Sequence, residues 1–125
     1  MAVEEDKDVL QYGHLELADK IMDQGYIEHD PKVPQGRDDF KQFVSRIPGH
    51  KPEEIKPEWK AAPVFSLANG PFVVMMWEHK DKDPADPSRE YIWNYFDLIR
   101  IENGLVKEHW DGARISPPEG AISSE

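Results

Sequence analysis

The chain has 125 residues, of which 38% are hydrophobic and 32% charged, so it has room for one folded domain with one core. Asp and Glu number 25 against 15 Lys and Arg, and the net charge of −10 disfavours binding to the phosphate backbone of nucleic acids. Cysteine is absent, which excludes disulfides, thiol nucleophiles and thiolate metal ligands.

The amino-terminal residues 1–8 are acidic and show no periodicity, which predicts a solvated tail or a frayed helix start. They contain no apolar core of a secretory leader. The longest apolar run, Phe72 to Trp77, is too short to cross a bilayer. We therefore expect a cytoplasmic protein that does not associate with membranes.

Two short helices are predicted next. The apolar pattern from Val9 indicates a first helix that ends at Gly13, because glycine suits the position after a helix. A second helix is predicted over 14–22, where apolar side chains recur with a 3.6-residue period and Gly25 follows. The segment 26–31 ends in proline, which favours an extended backbone.

The third predicted helix has the clearest amphipathic pattern of the chain. Its apolar face carries residues at i, i+3, i+4 and i+7, namely Phe40, Phe43, Val44 and Ile47. Pro48 and Gly49 end the helix, and the proline-containing stretch 51–63 is predicted to be a loop.

The second half of the chain is predicted to be an antiparallel meander. Segments rich in β-branched and aromatic residues are 64–68, 72–80, 91–101 and 105–115. Asn-Gly pairs at 69–70 and 103–104 favour tight hairpins, and the polar stretch 81–89 is predicted to be a loop. Helices followed by a meander predict an α+β domain over 9–117, with helices on one face of a curved antiparallel sheet and a tail at 118–125.

Three segments resemble the SnoaL-like family. They are Y-I-E-H-D-P at 26–31 followed by Gly36-Arg37, the A-N-G hairpin at 68–70, and D-L-I-R-I-E-N-G at 97–104 continuing to E-H-W-D at 108–111. The last motif is the most specific of the three, and together they extend the resemblance from about residue 9 to residue 117.

The resemblance implies the nuclear transport factor 2-like, or cystatin-like, fold: a cone of bent antiparallel sheet over helices, enclosing a pocket. Members of this kind usually form homodimers through the sheet. SnoaL-like proteins include polyketide cyclases that perform aldol condensation without a cofactor, and related folds include isomerases, dehydratases and pure binding proteins. Because relatives begin with a longer first helix over the cone, we expect either a truncated lid or a natural start upstream of Met1.

Asp97 and Asp111 are the strongest catalytic candidates, because a carboxylate in an aromatic cone is suited to proton transfer near neutral pH. Their relative placement depends on the hairpin register. A two-residue turn would place Asp97 opposite Trp110 and the two acids on opposite faces. A three-residue loop with a bulge would place Asp97 opposite His109, with Asp111 diagonal on the same face. The resemblance favours the second register, in which both acids line the pocket.

Other candidates come from the resemblance and from strand alternation. The resemblance places His29 in the pocket, where it could relay a proton or hydrogen-bond a substrate carbonyl, and the alternative is a structural histidine bonded to a loop carbonyl. Tyr26 is a candidate phenol donor or an amphipathic residue of the rim. Further candidates for contact with the substrate are His109, Glu78 and three aromatic residues, Trp77, Trp93 and Tyr95. The remaining histidines form no i, i+4 pair on a helix, so no metal site is predicted, although a triad of His29, Asp97 and Asp111 can be drawn.

These residues predict a cofactor-independent acid/base enzyme of lyase or isomerase type. Asp111 is the expected general base and Asp97 or His29 the partner acid, acting on a hydrophobic carbonyl compound by aldol-type cyclisation, its reverse, isomerisation or dehydration. The pocket is expected to be neutral and aromatic and to bind a small hydrophobic or aromatic molecule. The alternative is a non-catalytic domain of the same fold that binds such a ligand or acts as a dimeric interaction module.

Overall fold

The computed structural model describes residues 4–112, so the predicted tail at 118–125 and the end of the last predicted strand lie outside the described residues. A five-stranded sheet dominates the fold and packs against short helical segments. Its strands are β1 Met22–Glu28, β2 Phe65–Asn69, β3 Phe72–Asp83, β4 Asp86–Glu102 and β5 Leu105–Asp111.

Strands β2 to β5 form the predicted antiparallel meander, and the order across the sheet is β1-β5-β4-β3-β2. Strand β1 differs from the prediction, because it lies parallel to β5 and pairs Met22 with Val106 and Glu28 with His109. The predicted second helix is therefore too long: it ends at Ile21, and Met22 already belongs to the sheet.

The helical segments are a π-helix at Glu4–Gln11, a 3₁₀ turn at Leu15–Leu17, α1 at Ala18–Ile21 and α2 at Arg37–Ser45. The prediction of a solvated tail over 1–8 is wrong for residues 4–8. Glu5, Asp6 and Lys7 are buried, because the π-helix packs over the sheet and carries them inside. No helix within residues 4–112 is long and apolar enough to cross a membrane.

Helix α2 confirms the amphipathic pattern at its centre. Phe40 and Val44 are buried, and the Phe40 ring contacts that of Tyr26 on β1 with centroids 5.5 Å apart. Phe43 and Ile47 are more exposed and line a cavity beneath the helix. The core thus lies between α2, the amino-terminal helical segments and the inner face of the sheet.

The predicted loop at 81–89 is largely strand. Strands β3 and β4 continue through it as a long hairpin, and the chain reverses at Pro84 and Ala85. The Asp83 side chain stabilises the turn, since its Oδ1 accepts the backbone N–H of Ala85 at 2.8 Å. Proline and aspartate here mark a tight turn rather than a long loop.

Candidate active site

A bulge in the β4–β5 hairpin decides how the two candidate aspartates meet. Asn103 and Gly104 both have positive φ, 53° and 75°, as a two-residue type I′ turn requires. Pairing then shifts by one residue, since Ile101 faces Val106 but Arg100 faces Glu108. Asp97 consequently lies directly opposite Asp111. Both registers considered from the sequence are therefore wrong, and the two acids share one face of the sheet.

Asp97 belongs to a buried polar chain that consists of Trp77, Asp97, His109, Glu28 and Tyr26. Trp77 Nε1 donates to Asp97 Oδ2 at 2.7 Å, and His109 Nε2 lies 2.7 Å from Asp97 Oδ1. The other ring nitrogen, Nδ1, lies 2.7 Å from Glu28 Oε1, and the Tyr26 hydroxyl donates to Glu28 Oε2 at 2.9 Å. The buried polar chain therefore spans strands β3, β4, β5 and β1 across the inner face of the sheet.

His109 is the cation of the buried polar chain. A neutral imidazole has only one N–H, whereas both ring nitrogens of His109 face carboxylate oxygens. Burial alone would lower the pKa of His109, but the hydrogen bonds to Asp97 and Glu28 raise it to about 11. His109 is thus a fixed imidazolium at neutral pH that holds two carboxylates in place.

Glu28 was not among the candidates from the sequence, yet it is buried at the centre of the site. Gln35 holds its backbone on both sides: the Glu28 N–H donates to Gln35 Oε1 at 3.0 Å, and Gln35 Nε2 donates to the Glu28 carbonyl. The Asp30 N–H adds a bond to Glu28 Oε1 at 3.0 Å. The sequence feature that could have identified Glu28 is the alternation of side chains along an extended segment, because it places Glu28 on the same face as Tyr26.

An inner cavity of about 260 Å³ lies between helix α2, the π-helix and the inner face of the sheet. Its lining combines the buried polar chain with apolar and acidic residues: Glu5, Asp6, Leu10, Tyr26, Glu28, Val33, Phe40, Phe43, Val44, Ile47, Tyr95, Asp97, His109 and Asp111. An outer cavity of about 580 Å³ is lined by Lys32, His79, Trp93, Asn94, Tyr95, Phe96, Asp111 and Gly112. Tyr95 and Asp111 line both cavities, so they stand where the two meet.

The aromatic candidates divide between these cavities. Trp77 is buried under the site and anchors Asp97. Trp93 lines the outer cavity, stacks on His79 with ring centroids 5.1 Å apart, and donates Nε1 to Asp81 Oδ2 at 2.6 Å. Burial and the neighbouring carboxylates raise the pKa of Tyr95 to about 12, so its hydroxyl keeps its proton at neutral pH.

His29 and Glu78 are not where the sequence analysis places them. Alternation after Glu28 turns His29 to the other face of the sheet, where its Nε2 lies 2.6 Å from Glu108 Oε2 and its ring stacks on Trp110 at 4.6 Å. Glu78 is exposed, pairs with Asn94 and lines neither the inner nor the outer cavity. The structure thus brings together Asp97, Asp111, His109 and Tyr26, but not His29 or Glu78.

Two acidic residues of the π-helix enter the site instead. Glu5 and Asp6 are only 3% and 9% exposed, and both line the inner cavity. Burial, together with the charges of Asp97 and Glu28, raises the pKa of Glu5 to about 7, although His109 opposes this shift. Burial and the neighbouring Glu5 and Asp97 raise the pKa of Asp6 well above its usual range. The sequence analysis expects a neutral, aromatic pocket, whereas five residues with carboxyl groups line the inner cavity.

Asp97, His109 and Asp111 also offer ligand atoms within 4.8 Å of one another, a spacing that a metal ion can use. A metal ligand must present an unprotonated nitrogen, however, and His109 uses both ring nitrogens toward carboxylates. Binding a cation at Nε2 would remove a proton from a group whose pKa is raised to about 11. The chemistry of this donor set therefore fits a fixed imidazolium better than a metal centre.

Comparisons with known proteins identify the fold. No family model and no curated protein sequence matches the chain. Among solved structures, a candidate ketosteroid isomerase from Kribbella flavida is 18% identical with a TM-score of 0.59, covering 93% of this chain and 78% of that one. A candidate polyketide cyclase from Acidithiobacillus ferrooxidans is 20% identical with a TM-score of 0.58, covering 88% and 80%.

A third similar structure, a protein of unknown function with a cystatin-like fold from Xanthomonas campestris, is 15% identical with a TM-score of 0.59, covering 86% of this chain and 84% of that one. At these identities the likeness concerns the fold, while chemistry must be argued from the site. The architecture implied by the three sequence motifs is confirmed: this chain has the nuclear transport factor 2-like, cystatin-like α+β fold.

Proposed function

We propose that this protein is a cofactor-independent acid/base enzyme that acts on a hydrophobic carbonyl compound. The observation that carries the proposal is the buried polar chain, whose Asp97 lies directly opposite Asp111 in a cavity that apolar and aromatic side chains also line. Burying two carboxylates and an imidazolium costs free energy unless each is fully hydrogen-bonded, and a purely structural core does not need them. Such arrangements of perturbed titratable groups in a cleft are typical of active sites.

Asp111 is the general base in this proposal. It lines both the inner and the outer cavity and lies directly opposite Asp97 on the same face of the sheet. Asp111 removes the proton from the carbon beside the substrate carbonyl, and the electron pair of the C–H bond moves toward the carbonyl oxygen as an enolate forms. The proton then returns to another carbon in an isomerisation, or the enolate attacks a second carbonyl in an aldol closure.

The partner acid is Asp97 with His109, rather than His29. His109 Nε2 lies 2.7 Å from Asp97 Oδ1, and both residues line the inner cavity, where the pair can supply a proton. Tyr95 supports the same step, because its protonated hydroxyl stands where the two cavities meet and is suited to donate to the developing enolate oxygen. Trp93 and His79 extend the binding surface into the outer cavity.

The experiment is a screen of aromatic and polyketide-like carbonyl compounds, followed by kinetics of Asp111→Asn with the best substrate. We expect turnover to fall by about 100-fold or more, as loss of a general base does. Asp38→Asn, at an exposed position in the first turn of α2, is the matched control and should keep wild-type turnover. An Asp111→Asn variant with a native circular dichroism spectrum and most of its turnover would refute the assignment.

The non-catalytic alternative gives the opposite result in a binding assay. If the cavity only holds a ligand, the double variant Asp97→Asn/Asp111→Asn should bind that ligand with wild-type affinity in calorimetry, and no turnover should be found for the wild type. Turnover that depends on Asp111 would exclude this alternative.

Homodimer formation through the sheet is a second part of the proposal, and the outer face of the sheet supports it. Large apolar side chains are exposed on this face at Phe65, Leu67, Phe72, Ile92 and Phe96. Large apolar side chains exposed on one face are typical of an interaction site. A second copy of the chain offers the same side chains, so the two can pack about a two-fold axis.

A further inference from the structure

The acidic residues of the inner cavity outnumber its basic residues. Five of the lining residues are carboxylic acids, Glu5, Asp6, Glu28, Asp97 and Asp111, whereas His109 is the one basic lining residue among those the structure describes. His109 bonds to Glu28 and Asp97 and so is already matched. Lys7, the neighbour of Asp6 in the chain, pairs with Asp8 at 2.7 Å instead. Among residues 4–112, no basic side chain forms an ion pair with Glu5 or Asp6.

Glu5 and Asp6 are the acids with unused oxygens. Glu5 Oε2 and Asp6 Oδ2 are buried and have no hydrogen-bond partner among the described residues, although both side chains are at least nine-tenths buried and line the cavity. A buried carboxyl oxygen without a partner destabilises the folded chain, because its lost hydration is not replaced. Two such atoms on residues that line one cavity are expected where a ligand supplies the missing partner.

We propose that the inner cavity binds a hydrophobic ligand through a protonated amine, which Glu5 Oε2 and Asp6 Oδ2 hold by charge-assisted hydrogen bonds. An ammonium group has three N–H donors and a positive charge, so it satisfies both oxygens and offsets the excess of acid. The apolar part of the ligand then packs against Tyr26, Phe40 and Phe43, which also line the cavity. An anionic ligand meets repulsion, and a neutral one leaves the acids without a counter-charge.

The raised pKa values of Glu5 and Asp6 agree with this inference, because burial without a cation favours the protonated form of both side chains. A bound ammonium replaces that proton as the neutralising charge, so binding should release protons. The inference goes beyond the proposed function. It rests on that function only if the amine ligand of the inner cavity is also the substrate of the enzyme.

The test compares three probes of similar size in calorimetry at pH 7.5: 2-phenylethylammonium, 2-phenylethanol and phenylacetate. We expect the ammonium to bind about 10-fold or more tightly than the alcohol, as a charge-assisted hydrogen bond implies, and phenylacetate to bind most weakly. Titrations in two buffers of different ionisation enthalpy should show proton release for the ammonium alone. Equal affinity for ammonium and alcohol overturns the inference.

Glu5→Gln and Asp6→Asn locate the effect. Each should lower the affinity for 2-phenylethylammonium about 10-fold and leave that for 2-phenylethanol unchanged, while Glu54→Gln, at an exposed loop position, should alter neither. Unchanged affinity for 2-phenylethylammonium in both cavity variants overturns the inference. A cavity that binds Zn²⁺ in calorimetry but does not bind 2-phenylethylammonium also overturns it. Both variants remove a buried acid and are expected to fold, and the comparison of the probes on the wild type does not depend on them.

Probe binding requires no turnover, so the inference and the proposed function fail separately. An absent ammonium preference together with a turnover that depends on Asp111 overturns the amine site alone. An ammonium preference that Glu5→Gln abolishes supports the amine site even where no carbonyl compound is turned over.

Discussion

Each face of the sheet carries side chains that depart from the usual distribution of polarity. The inner face, which is covered by helices, carries the buried polar chain with Asp97 and His109 within the hydrophobic core. The outer face, which is open in the single chain, carries exposed Leu67, Phe72 and Phe96 beside charged residues. Buried charges and exposed large apolar side chains are both uncommon, so each needs an explanation beyond folding. The difference supports the proposals of chemistry on the inner face and of a second copy on the outer one.

The largest loss of stability is expected when the positive charge of His109 on the inner face is removed. His109→Gln leaves Glu28 and Asp97 as buried carboxylates without a counter-charge, which should lower the free energy of unfolding by about 3–5 kcal/mol. Urea denaturation measures this loss. The triple variant Glu28→Gln/Asp97→Asn/His109→Gln, which removes all three charges together, should be more stable than the single variant. A triple variant less stable than His109→Gln would contradict the ionic description of the buried polar chain.

On the outer face, a charge should separate the proposed dimer. Phe96 and Leu67 are 51% and 66% exposed, and Phe96→Asp or Leu67→Asp should weaken self-association by more than about 30-fold, as loss of a central interface residue does. Sedimentation velocity measures the shift toward monomer. Ile55→Asp is the control, because Ile55 is an exposed apolar residue of the loop outside the sheet. A wild type that sediments as a monomer at high concentration would refute the proposed dimer.

A smaller effect, confined to one pH range, is expected at Glu5. Its pKa is raised from 4.5 to about 7 in the folded chain, so folding favours the protonated form and stability falls as the pH rises through this range. In the Glu5→Gln variant, the urea midpoint should therefore depend less on pH between pH 4.5 and pH 7. Above pH 7, the variant should be more stable than the wild type. The control Glu54→Gln should show the wild-type dependence of the urea midpoint on pH. The same wild-type dependence in Glu5→Gln would contradict the burial of Glu5.

The smallest effect is expected at Gln35, which contacts only the backbone of Glu28. Gln35→Ala removes two hydrogen bonds at the end of β1 and should cost about 1–2 kcal/mol of stability. The denaturant midpoint measures this loss, with Gln42→Ala, at an exposed position of α2, as the control. Equal midpoints for the two variants would show that the Gln35 bonds do not hold Glu28 in place.

Local pattern predicted the elements more accurately than it predicted their ends. The amphipathic residues Phe40 and Val44 placed α2 correctly, and the β-branched and aromatic segments placed β2 to β5. The parallel strand β1 was missed, because a segment such as 22–28 contains no signal of the strand that it pairs with. The long β3–β4 hairpin was missed for a similar reason, since paired neighbours extended strands through residues with weak strand preference.

The candidate site was predicted in part. Alternation and the motif at 97–111 singled out Asp97, Asp111 and His109, which the structure brings onto one face. The structure turned His29 outward and brought Glu28 inward, a difference of one residue in a strand of period two. Glu5 and Asp6 could not be predicted, because an acidic segment without periodicity is more often solvated than buried.

By itself, the sequence determined an α+β fold without thiol chemistry, whose carboxyl-terminal half is a meander bearing paired acids. Only the tertiary structure decided which acids meet. The one-residue bulge after Val106 brings Asp97 opposite Asp111, and the packing of the π-helix brings Glu5 and Asp6 into the same cavity. The physical reason is that propensity and periodicity act over a few neighbouring residues, whereas register and burial depend on contacts between segments far apart in the chain.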